Sequence, residues 1–163
     1  NQTNYLTIQA DEPGVYEGQC KEFCGLAHAY MKFTVVAHTP EDFERWVTEQ
    51  QAPAASPEAR SQAAAGLDVF TSPLPTGGSC TDCHAVAGLE GPSGQPLLAN
   101  GVPNLTHLMS RQCFRGCTLA TTPANLRGWI EDPRAFEAGS FMPDYGLSAE
   151  QLDQVVAYLT TLE

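Results

Sequence analysis

The sequence predicts two domains of different fold class: a β-rich part over residues 1–51 and an all-α domain over residues 59–163. The first part contains short segments of alternating or β-branched residues. The second contains helix-capping residues followed by apolar stripes with helical spacing. Between the two parts, residues 52–58 (APAASPE) are rich in alanine and proline and lack apolar periodicity. This composition is typical of a semi-rigid linker.

Three segments of the first part have the pattern of β-strands. Residues 5–10 alternate between apolar and polar side chains, residues 15–19 follow a turn, and residues 33–37 (FTVVA) are β-branched and aromatic. Thr39 and Pro40 are the residue types favoured at the N-cap and at the first position of a helix. The short helix that they begin would have an apolar face made of Phe43, Trp46 and Val47.

The second part has helix signals at both ends and in the middle. Residues 63–70 predict one helix, Thr122 and Pro123 begin another, and residues 148–151 form a capping box. The apolar stripe that follows the capping box consists of Leu152, Val155, Val156, Leu159 and Leu162. Residues 85–104, in contrast, are rich in glycine and proline and have no periodicity. So long a loop in a small domain indicates that something besides protein fills the core.

Charge and hydropathy exclude several functions. The net charge is −11, and residues 1–51 carry −5 of it and residues 52–163 carry −6. An acidic surface repels nucleic acid and can steer a basic partner, although it can also be a solvated face with no partner. No stretch approaches the roughly 20 apolar residues that a membrane span needs. Because residue 1 is not methionine and no signal-peptide pattern follows it, we expect a mature or truncated product whose membrane helices lie upstream or in a partner.

Residues 80–84 have the sequence Cys-Thr-Asp-Cys-His, the C-x-x-C-H pattern of c-type haem attachment. The thiols of Cys80 and Cys83 would form thioethers with the haem vinyl groups, and the imidazole of His84 would bind the iron. A thioredoxin-like redox pair would need a βαβ context, and half a zinc site would need a second cysteine pair at zinc spacing. Neither is present in the sequence, so the pattern predicts covalent haem c (heme c).

A second axial ligand is expected downstream of His84. Met142 lies in Phe-Met-Pro, just before the capped C-terminal helix, where a rigid loop can present its sulfur. Met109 lies in a helical-looking run at 105–109, where a methionine more often fills gaps in a core. His107 is a third candidate, although a surface histidine is the commoner case. We therefore favour Met142, and His/Met ligation would raise the redox potential.

These residues resemble the cytochrome c family over residues 59–163, through the C-x-x-C-H motif, residues 101–105 (GVPNL), Met142-Pro143 and a closing helix with Tyr158. The resemblance implies that Gly66 and Phe70 pack against the face of Tyr158. It also implies that Pro103 lies behind the His84 ring. Two contacts to the haem propionates are expected from the same resemblance, through Arg111 and Trp129.

A second group of ligand-type side chains occupies one short segment. Cys20, Cys24, His28 and Met31 follow a predicted strand with the spacing C-x3-C-x3-H-x2-M. Soft sulfur and nitrogen ligands of this kind select copper over calcium or magnesium. The spacing is too short for a paired zinc ribbon. A strained local disulfide with an uninvolved histidine and methionine is the alternative.

This segment resembles the binuclear copper (CuA) loop of cytochrome c oxidase subunit II, which lies in a cupredoxin-like domain. The resemblance implies that Cys20 and Cys24 bridge two coppers and that His28 and Met31 each bind one of them. The carbonyl of Glu22 would be a further ligand, and its carboxylate would face a magnesium (Mg) site shared with the catalytic subunit. Residues 1–51 would be the C-terminal part of the all-β sandwich. In the family a further histidine ligand lies upstream, and His38 is on the wrong side to replace it.

Fusion of a copper domain to a cytochrome c domain resembles the caa3-type oxidases. It implies the electron-entry subunit of a haem-copper terminal oxidase on the extracytoplasmic (periplasmic) face of a bacterial cell membrane. The donor would be a cytochrome c, another small redox protein or a quinol-oxidising complex. The acceptor would be the catalytic subunit I, which reduces oxygen. This chain would supply no catalytic residue, since both metal sites would be coordinatively saturated.

Two other functions fit parts of the sequence. Nitrous oxide reductase has a copper domain of similar spacing, and a free single-haem shuttle could carry a vestigial β-domain. Glu22, Gly25 and the order of copper before haem favour the oxidase.

The third cysteine pair, Cys113 and Cys117, has no counterpart that the cytochrome resemblance requires. On an extracytoplasmic protein two thiols so close in sequence tend to oxidise, and Gly116 can relax the backbone between them. We therefore predict a loop disulfide, with a buried reduced pair as the alternative.

Overall fold

A computed structural model of the chain describes residues 3–90, 96–97 and 102–163. Residues 91–95 and 98–101 lie outside the described residues. They belong to the loop predicted over residues 85–104 and include Gly101, the first residue of the GVPNL segment. The first part contains strands β1 (Gly14–Gln19) and β2 (Lys32–Ala37) and helix α1 (Pro40–Gln51). In the second part the elements are α2 (Gln62–Thr71), β3 (Cys113–Phe114), β4 (Leu119–Ala120), α3 (Pro123–Glu131), α4 (Pro133–Phe136) and α5 (Ala149–Leu159).

Strands β1 and β2 form an antiparallel pair whose register runs from Gly14 opposite Ala37 to Gln19 opposite Lys32. Both strands were predicted, and their pairing closes a loop over residues 20–31 at one end. The strand predicted at residues 5–10 is wrong, because residues 3–10 have no regular structure and Leu6 is 87% exposed. A strand needs a neighbour to bond its backbone, and among the described residues this segment has none.

Helix α1 begins as predicted, with the Thr39 hydroxyl accepting a hydrogen bond from the backbone N–H of Asp42. The chain that follows it, over residues 53–58, has no regular structure. It nevertheless lies against the second part: Ala54 packs on its hydrophobic core, and the segment lines a cavity together with Val86 and Tyr158. The segment predicted to be a linker is thus attached to the helical part by apolar contacts.

Helices α2 and α5 cross at the centre of the helical part. Their backbones approach closely at Gly66, where an added Cβ would lie 1.9 Å from the carbonyl oxygen of Gln154. One turn further along α2, the ring centroids of Phe70 and Tyr158 are 5.3 Å apart. Leu162 and Val155 are among the most buried side chains of the surrounding core. The packing of Gly66 and Phe70 against the Tyr158 face therefore agrees with the expectation from the resemblance.

Capping side chains fix where the helices of this part begin. The Thr122 hydroxyl accepts from the N–H of Asn125 at the start of α3. Ser148 and Gln151 exchange both hydrogen bonds of a capping box at the start of α5. Both were predicted from sequence, because a cap depends on residues three positions apart.

Two features of the second part depart from the predicted all-α domain. The run at residues 105–109, which looked helical, consists of turns. Strands β3 and β4 form a two-stranded antiparallel hairpin, with Cys113 opposite Ala120 and Phe114 opposite Leu119. A disulfide joins Cys113 to Cys117, so the predicted bridge is present. Within the described ranges, none of the helices has the length and apolar character to cross a bilayer.

Candidate metal centres

The C-x-x-C-H motif begins on a single helical turn, the 3₁₀ helix Cys80–Asp82, and Cys83 and His84 follow directly after it. A capping box begins this turn: Asp82 accepts hydrogen bonds from the backbone N–H of Ser79 at 2.7 Å and from its hydroxyl at 3.2 Å. The N–H of His84 donates to the carbonyl of Cys80 at 2.9 Å. Cys80 is partly buried, and this burial raises the pKa of its thiol to about 11, whereas Cys83 is exposed. The motif is therefore held on a short, capped turn at the surface.

Next to this turn are two adjoining cavities of about 130 and 470 Å³. The larger is within the roughly 300–1,000 Å³ typical of ligand and cofactor pockets. Core side chains of α3 and α5 form the deep wall of the smaller cavity. The residues that line both cavities are Cys80, His84, Pro103, Phe114, Trp129, Met142 and Tyr145. A largely apolar space with two thiols and an imidazole at its edge fits a covalently bound haem.

The orientation of the His84 ring is set by the backbone. Its Nδ1 atom lies 2.8 Å from the carbonyl oxygen of Pro103. Because a carbonyl can only accept, Nδ1 carries the proton and Nε2 keeps its lone pair. A metal-binding histidine is commonly held in this way by its other nitrogen. The geometry agrees with the expected proximity of Pro103 to the ring.

The three candidates for the second axial ligand lie in different surroundings. Met142 lines both cavities together with His84, and its N–H donates to the Ser140 hydroxyl at 3.3 Å. Met109 packs against the hydrophobic core, and its N–H donates to the Leu162 carbonyl at 2.8 Å. The buried His107 has its Nδ1 2.7 Å from the backbone oxygen of Glu163. Within the described part of the chain, Met142 is the one candidate of the three that lines a cavity together with His84.

Arg111 and Trp129, the expected propionate contacts, both line the smaller cavity. The guanidinium of Arg111 donates to the Asn104 carbonyl at 2.5 Å, and burial lowers the pKa of this arginine. The indole of Trp129 packs edge-on against Phe114, with ring centroids 5.9 Å apart.

Among the residues that line both cavities, two were missed by sequence reasoning, Phe114 and Tyr145. Burial is the main cause that raises the pKa of the Tyr145 phenol. Phe114 reaches the cavity from the β3–β4 hairpin, and no pattern in the sequence indicated that hairpin. Tyr145 follows Met142 by three residues, and this proximity was the available signal.

The four soft ligands of the first part converge on Cys24. Its Sγ atom lies 3.6 Å from Sγ of Cys20, 3.6 Å from Nδ1 of His28 and 2.9 Å from Sδ of Met31. The ligand atoms of the two cysteines and the histidine all lie within 4.8 Å of one another. Both cysteines are free thiols, which does not agree with the alternative of a local disulfide.

Backbone geometry holds this loop on the strand pair. The N–H of Cys20 donates to the carbonyl of Met31 at 2.8 Å, which extends the ladder of β1 and β2 by one bond. The 3₁₀ helix His28–Tyr30 then turns the histidine toward the cysteines. Gly25, at φ +124°, provides the left-handed turn after Cys24.

Glu22 and His38 were the two other residues considered for this site. The Cys20 thiol donates to the carbonyl of Glu22 at 3.2 Å, whereas the carboxylate of Glu22 is exposed. The hydrogen bond with Cys20 is the main cause that raises the pKa of Cys24. A metal must therefore displace protons from this loop when it binds. Two close thiols, an imidazole and a thioether fit copper. His38 stacks on Trp46 at 6.1 Å, away from this group.

Comparisons with known proteins match both parts of the chain. Residues 63–163 match the family described as Cytochrome c, and residues 1–38 match the periplasmic domain of cytochrome C oxidase subunit II. A cytochrome c oxidase subunit 2 from Alkalihalophilus pseudofirmus is 34% identical over 162 residues, which are 99% of this chain and 43% of the relative. The protein of that name from Bacillus sp. (strain PS3) is 32% identical, over 92% of this chain and 40% of the relative.

A third relative, the cytochrome c oxidase subunit 2 of Bacillus subtilis, is 28% identical over 78% of this chain and 33% of the relative. The chain thus spans less than half the length of each of these proteins. The chain belongs to the cytochrome c family, and it joins that domain to a segment similar to the periplasmic domain of cytochrome c oxidase subunit II.

Proposed function

We propose that this chain is the electron-entry part of a haem-copper terminal oxidase of the caa3 type. The observation that carries the proposal is the presence, in one chain, of a cavity with a haem-attachment motif and a loop with four converging copper ligands. When bound, the two groups would supply one-electron redox chemistry, with haem as the donor and copper as the acceptor.

In the haem domain, residues 59–163, Cys80 and Cys83 hold the cofactor covalently and His84 binds iron through Nε2. The Pro103 carbonyl fixes the tautomer of that ring from a distance of 2.8 Å. Met142 would supply the second protein ligand to the iron, and Arg111 and Trp129 would contact the propionates. With His84 and Met142 both acting as ligands, the bound group would supply electron transfer and no oxygen chemistry.

In the copper domain, residues 1–51, Cys20 and Cys24 would hold both copper ions through their thiolates, and His28 and Met31 would each hold one. The Glu22 carbonyl is a further ligand, and its exposed carboxylate can face a magnesium site formed with the catalytic subunit. The β1–β2 pair represents the C-terminal part of a cupredoxin-like sandwich. The further histidine that the family resemblance implies completes the centre.

The partners follow from these roles. The catalytic subunit I receives the electrons, reduces oxygen and anchors the complex at the extracytoplasmic face of the membrane. The net charge of −11 favours a basic electron donor and disfavours nucleic acid. All three relatives described above are cytochrome c oxidase subunits, so neither nitrous oxide reductase nor a free shuttle gains support.

Flash reduction of haem c in the complete oxidase tests the proposal. We expect haem reoxidation and copper reduction to share one rate that does not depend on protein concentration or ionic strength, because the two sites are tethered. Delivery from a separate basic donor should slow as salt rises. In a Cys80→Ala/Cys83→Ala control, the fast copper reduction should disappear. A transfer rate that grows with protein concentration would contradict the proposal.

A further inference from the structure

The dipeptide Phe114-Arg115 contacts both the candidate haem cavity and the loop that carries the candidate copper ligands. Phe114 lines the haem cavity and packs edge-on against Trp129. The next side chain, Arg115, crosses to the other part of the chain, where its guanidinium carbon lies 3.8 Å from the centroid of the Tyr30 ring. Tyr30 lies between two of the copper ligands in sequence and belongs to the turn that positions His28. The two sites are therefore connected by adjacent residues.

The side chain of Arg115 is buried, and each of its three guanidinium nitrogens donates one hydrogen bond. Its side chain is 8% exposed, and its Nε donates to the Glu137 carboxylate at 3.2 Å. Its two Nη atoms donate to the carbonyl of Phe136 and to the hydroxyl of Thr118. All these partners belong to the cytochrome part, so they fix the plane of the guanidinium. The face of that plane then meets Tyr30, an arrangement that favours cation–π attraction.

The backbone of the hairpin loop also contacts the copper part. Arg115, Gly116 and Cys117 all have left-handed φ angles, of 53°, 58° and 57°. A Cβ added at Gly116 would lie 2.1 Å from the carbonyl oxygen of Tyr30 and 3.0 Å from the N atom of Lys32. The Cys113–Cys117 disulfide closes this loop, and its Cys117 sulfur lies 3.6 Å from the Thr34 hydroxyl. The loop therefore presses against β2 at a position where only glycine fits.

We propose that the disulfide-closed loop Cys113–Cys117 is an interdomain latch and that Arg115 is its positioning residue. The latch fixes the edge of the haem cavity relative to the copper loop. Its effect on electron transfer depends on the function proposed above, but the contact itself does not. A hairpin that only stabilised the cytochrome domain would not need a buried arginine that faces Tyr30. It would also not need a glycine packed against the backbone carbonyl of Tyr30.

The test compares four variants in the full-length oxidase with haem and copper bound. Arg115→Gln removes the guanidinium, and Tyr30→Leu removes the ring from the other side. Tyr30→Phe keeps the ring and is the control for the second. Arg127→Gln is the control for the first, since Arg127 is also ion-paired, to Glu131 and Asp153 at 2.9 Å, but contacts only its own domain.

The first measurement is amide hydrogen exchange of β2 and of residues 113–120. We expect exchange in both segments to accelerate roughly five- to thirtyfold in Arg115→Gln and Tyr30→Leu, as loss of a local contact does. Both controls should behave as wild type. Unchanged exchange rates in both test variants would contradict the proposal that this loop holds the two domains together. That conclusion would hold whether or not electrons pass between the two sites.

The second measurement is haem-to-copper transfer after a flash, together with the midpoint potentials of both centres. We expect transfer to slow about tenfold or more in the two test variants with unchanged potentials, because the geometry and not the chemistry has altered. Faster exchange with an unchanged transfer rate would overturn the positioning role of Arg115. Absence of electron transfer in the wild type would contradict the proposed function instead. The hydrogen-exchange result would still show whether the loop holds the two domains together.

Discussion

The Nδ1 atom of His84 lies 2.8 Å from the carbonyl oxygen of Pro103. This contact joins the haem-attachment turn to a segment 19 residues further along the chain. It holds the proton on Nδ1 and leaves the lone pair of Nε2 free, as the proposed binding of iron requires. The identity of the ligand on the opposite side of the haem then determines the redox potential.

Met142→Ala is expected to remove the sulfur-to-iron charge-transfer band and to lower the midpoint potential of the haem. Axial ligands set haem potentials over a range of about 0.8 V, so we expect a fall on the order of 0.1 V or more. Visible spectroscopy and a redox titration measure both effects. Met109→Leu is the control, because Met109 packs in the core and should leave the band unchanged. Loss of the band in that control would transfer the ligand role to Met109.

Replacement of Cys80 is expected to weaken the attachment of haem to the chain. In the wild type, thioether bonds to Cys80 and Cys83 should keep the haem stain on the polypeptide after denaturing electrophoresis. A Cys113→Ser/Cys117→Ser double variant should stain as strongly as the wild type. In the wild type these two cysteines are bonded to each other and not to haem. Haem that acid-acetone extracts from the wild type would show that the attachment is not covalent.

Cys24→Ser is expected to cost the full-length protein most of its bound copper. Sγ of Cys24 lies within 3.6 Å of one ligand atom each of Cys20, His28 and Met31, so it is the centre of the donor set. Met31→Leu removes a single peripheral thioether and should retain copper with an altered visible spectrum. Metal analysis and spectroscopy of both variants measure the difference. Full copper content in Cys24→Ser would exclude a bridging role.

Gly66→Ala is expected to destabilise the cytochrome domain at the crossing of α2 and α5. The new Cβ would lie 1.9 Å from a backbone oxygen, so the helices must separate. We expect the free energy of unfolding to fall by about 1–3 kcal/mol or more. Gly128→Ala is the matched control within a helix, because there the nearest atom, at 3.0 Å, is the end of the Phe136 ring, which can shift. Denaturant titration of both variants checks the prediction.

Features encoded by residues close together in sequence were predictable. The caps at Thr39, Thr122 and Ser148 depend on a residue only three positions away. The same holds for the ligand groups at residues 20–31 and 80–84, because each group lies on a single loop or turn. The bridge between Cys113 and Cys117 was also predictable, since the two residues are four positions apart.

Features that depend on distant partners were not predictable. The pattern at residues 5–10 predicts a strand, but strand formation requires a neighbour that periodicity does not reveal. The roles of Phe114, Arg115 and Tyr145 depend on contacts across the fold, such as that between Arg115 and Tyr30. The linker illustrates the same limit: its composition predicts a spacer, whereas Ala54 packs on the core.

The last prediction concerns the response of the core to alkaline pH. The phenol of Tyr158 is in α5, and its residue is 2% exposed. Burial disfavours the phenolate and raises the pKa of Tyr158 to about 12, compared with about 10 for an ordinary tyrosine. The unfolded chain therefore loses this proton at lower pH than the folded chain does. The contribution of the buried, protonated phenol to the free energy of unfolding is therefore fully present below about pH 10. This contribution is lost as the pH rises through about 12.

Tyr158→Phe is expected to remove this part of the alkaline sensitivity while keeping the ring contact with Phe70. Two pKa units correspond to about 2–3 kcal/mol, so the free energy of unfolding of the wild type should fall by up to that amount relative to Tyr158→Phe between about pH 10 and 12. Denaturant titrations across this range measure the difference. Tyr5→Phe alters an exposed ring and should follow the wild type, so that other groups titrating at high pH cancel in the comparison. Parallel stability curves for wild type and Tyr158→Phe would show that the phenol keeps its ordinary pKa in the folded domain.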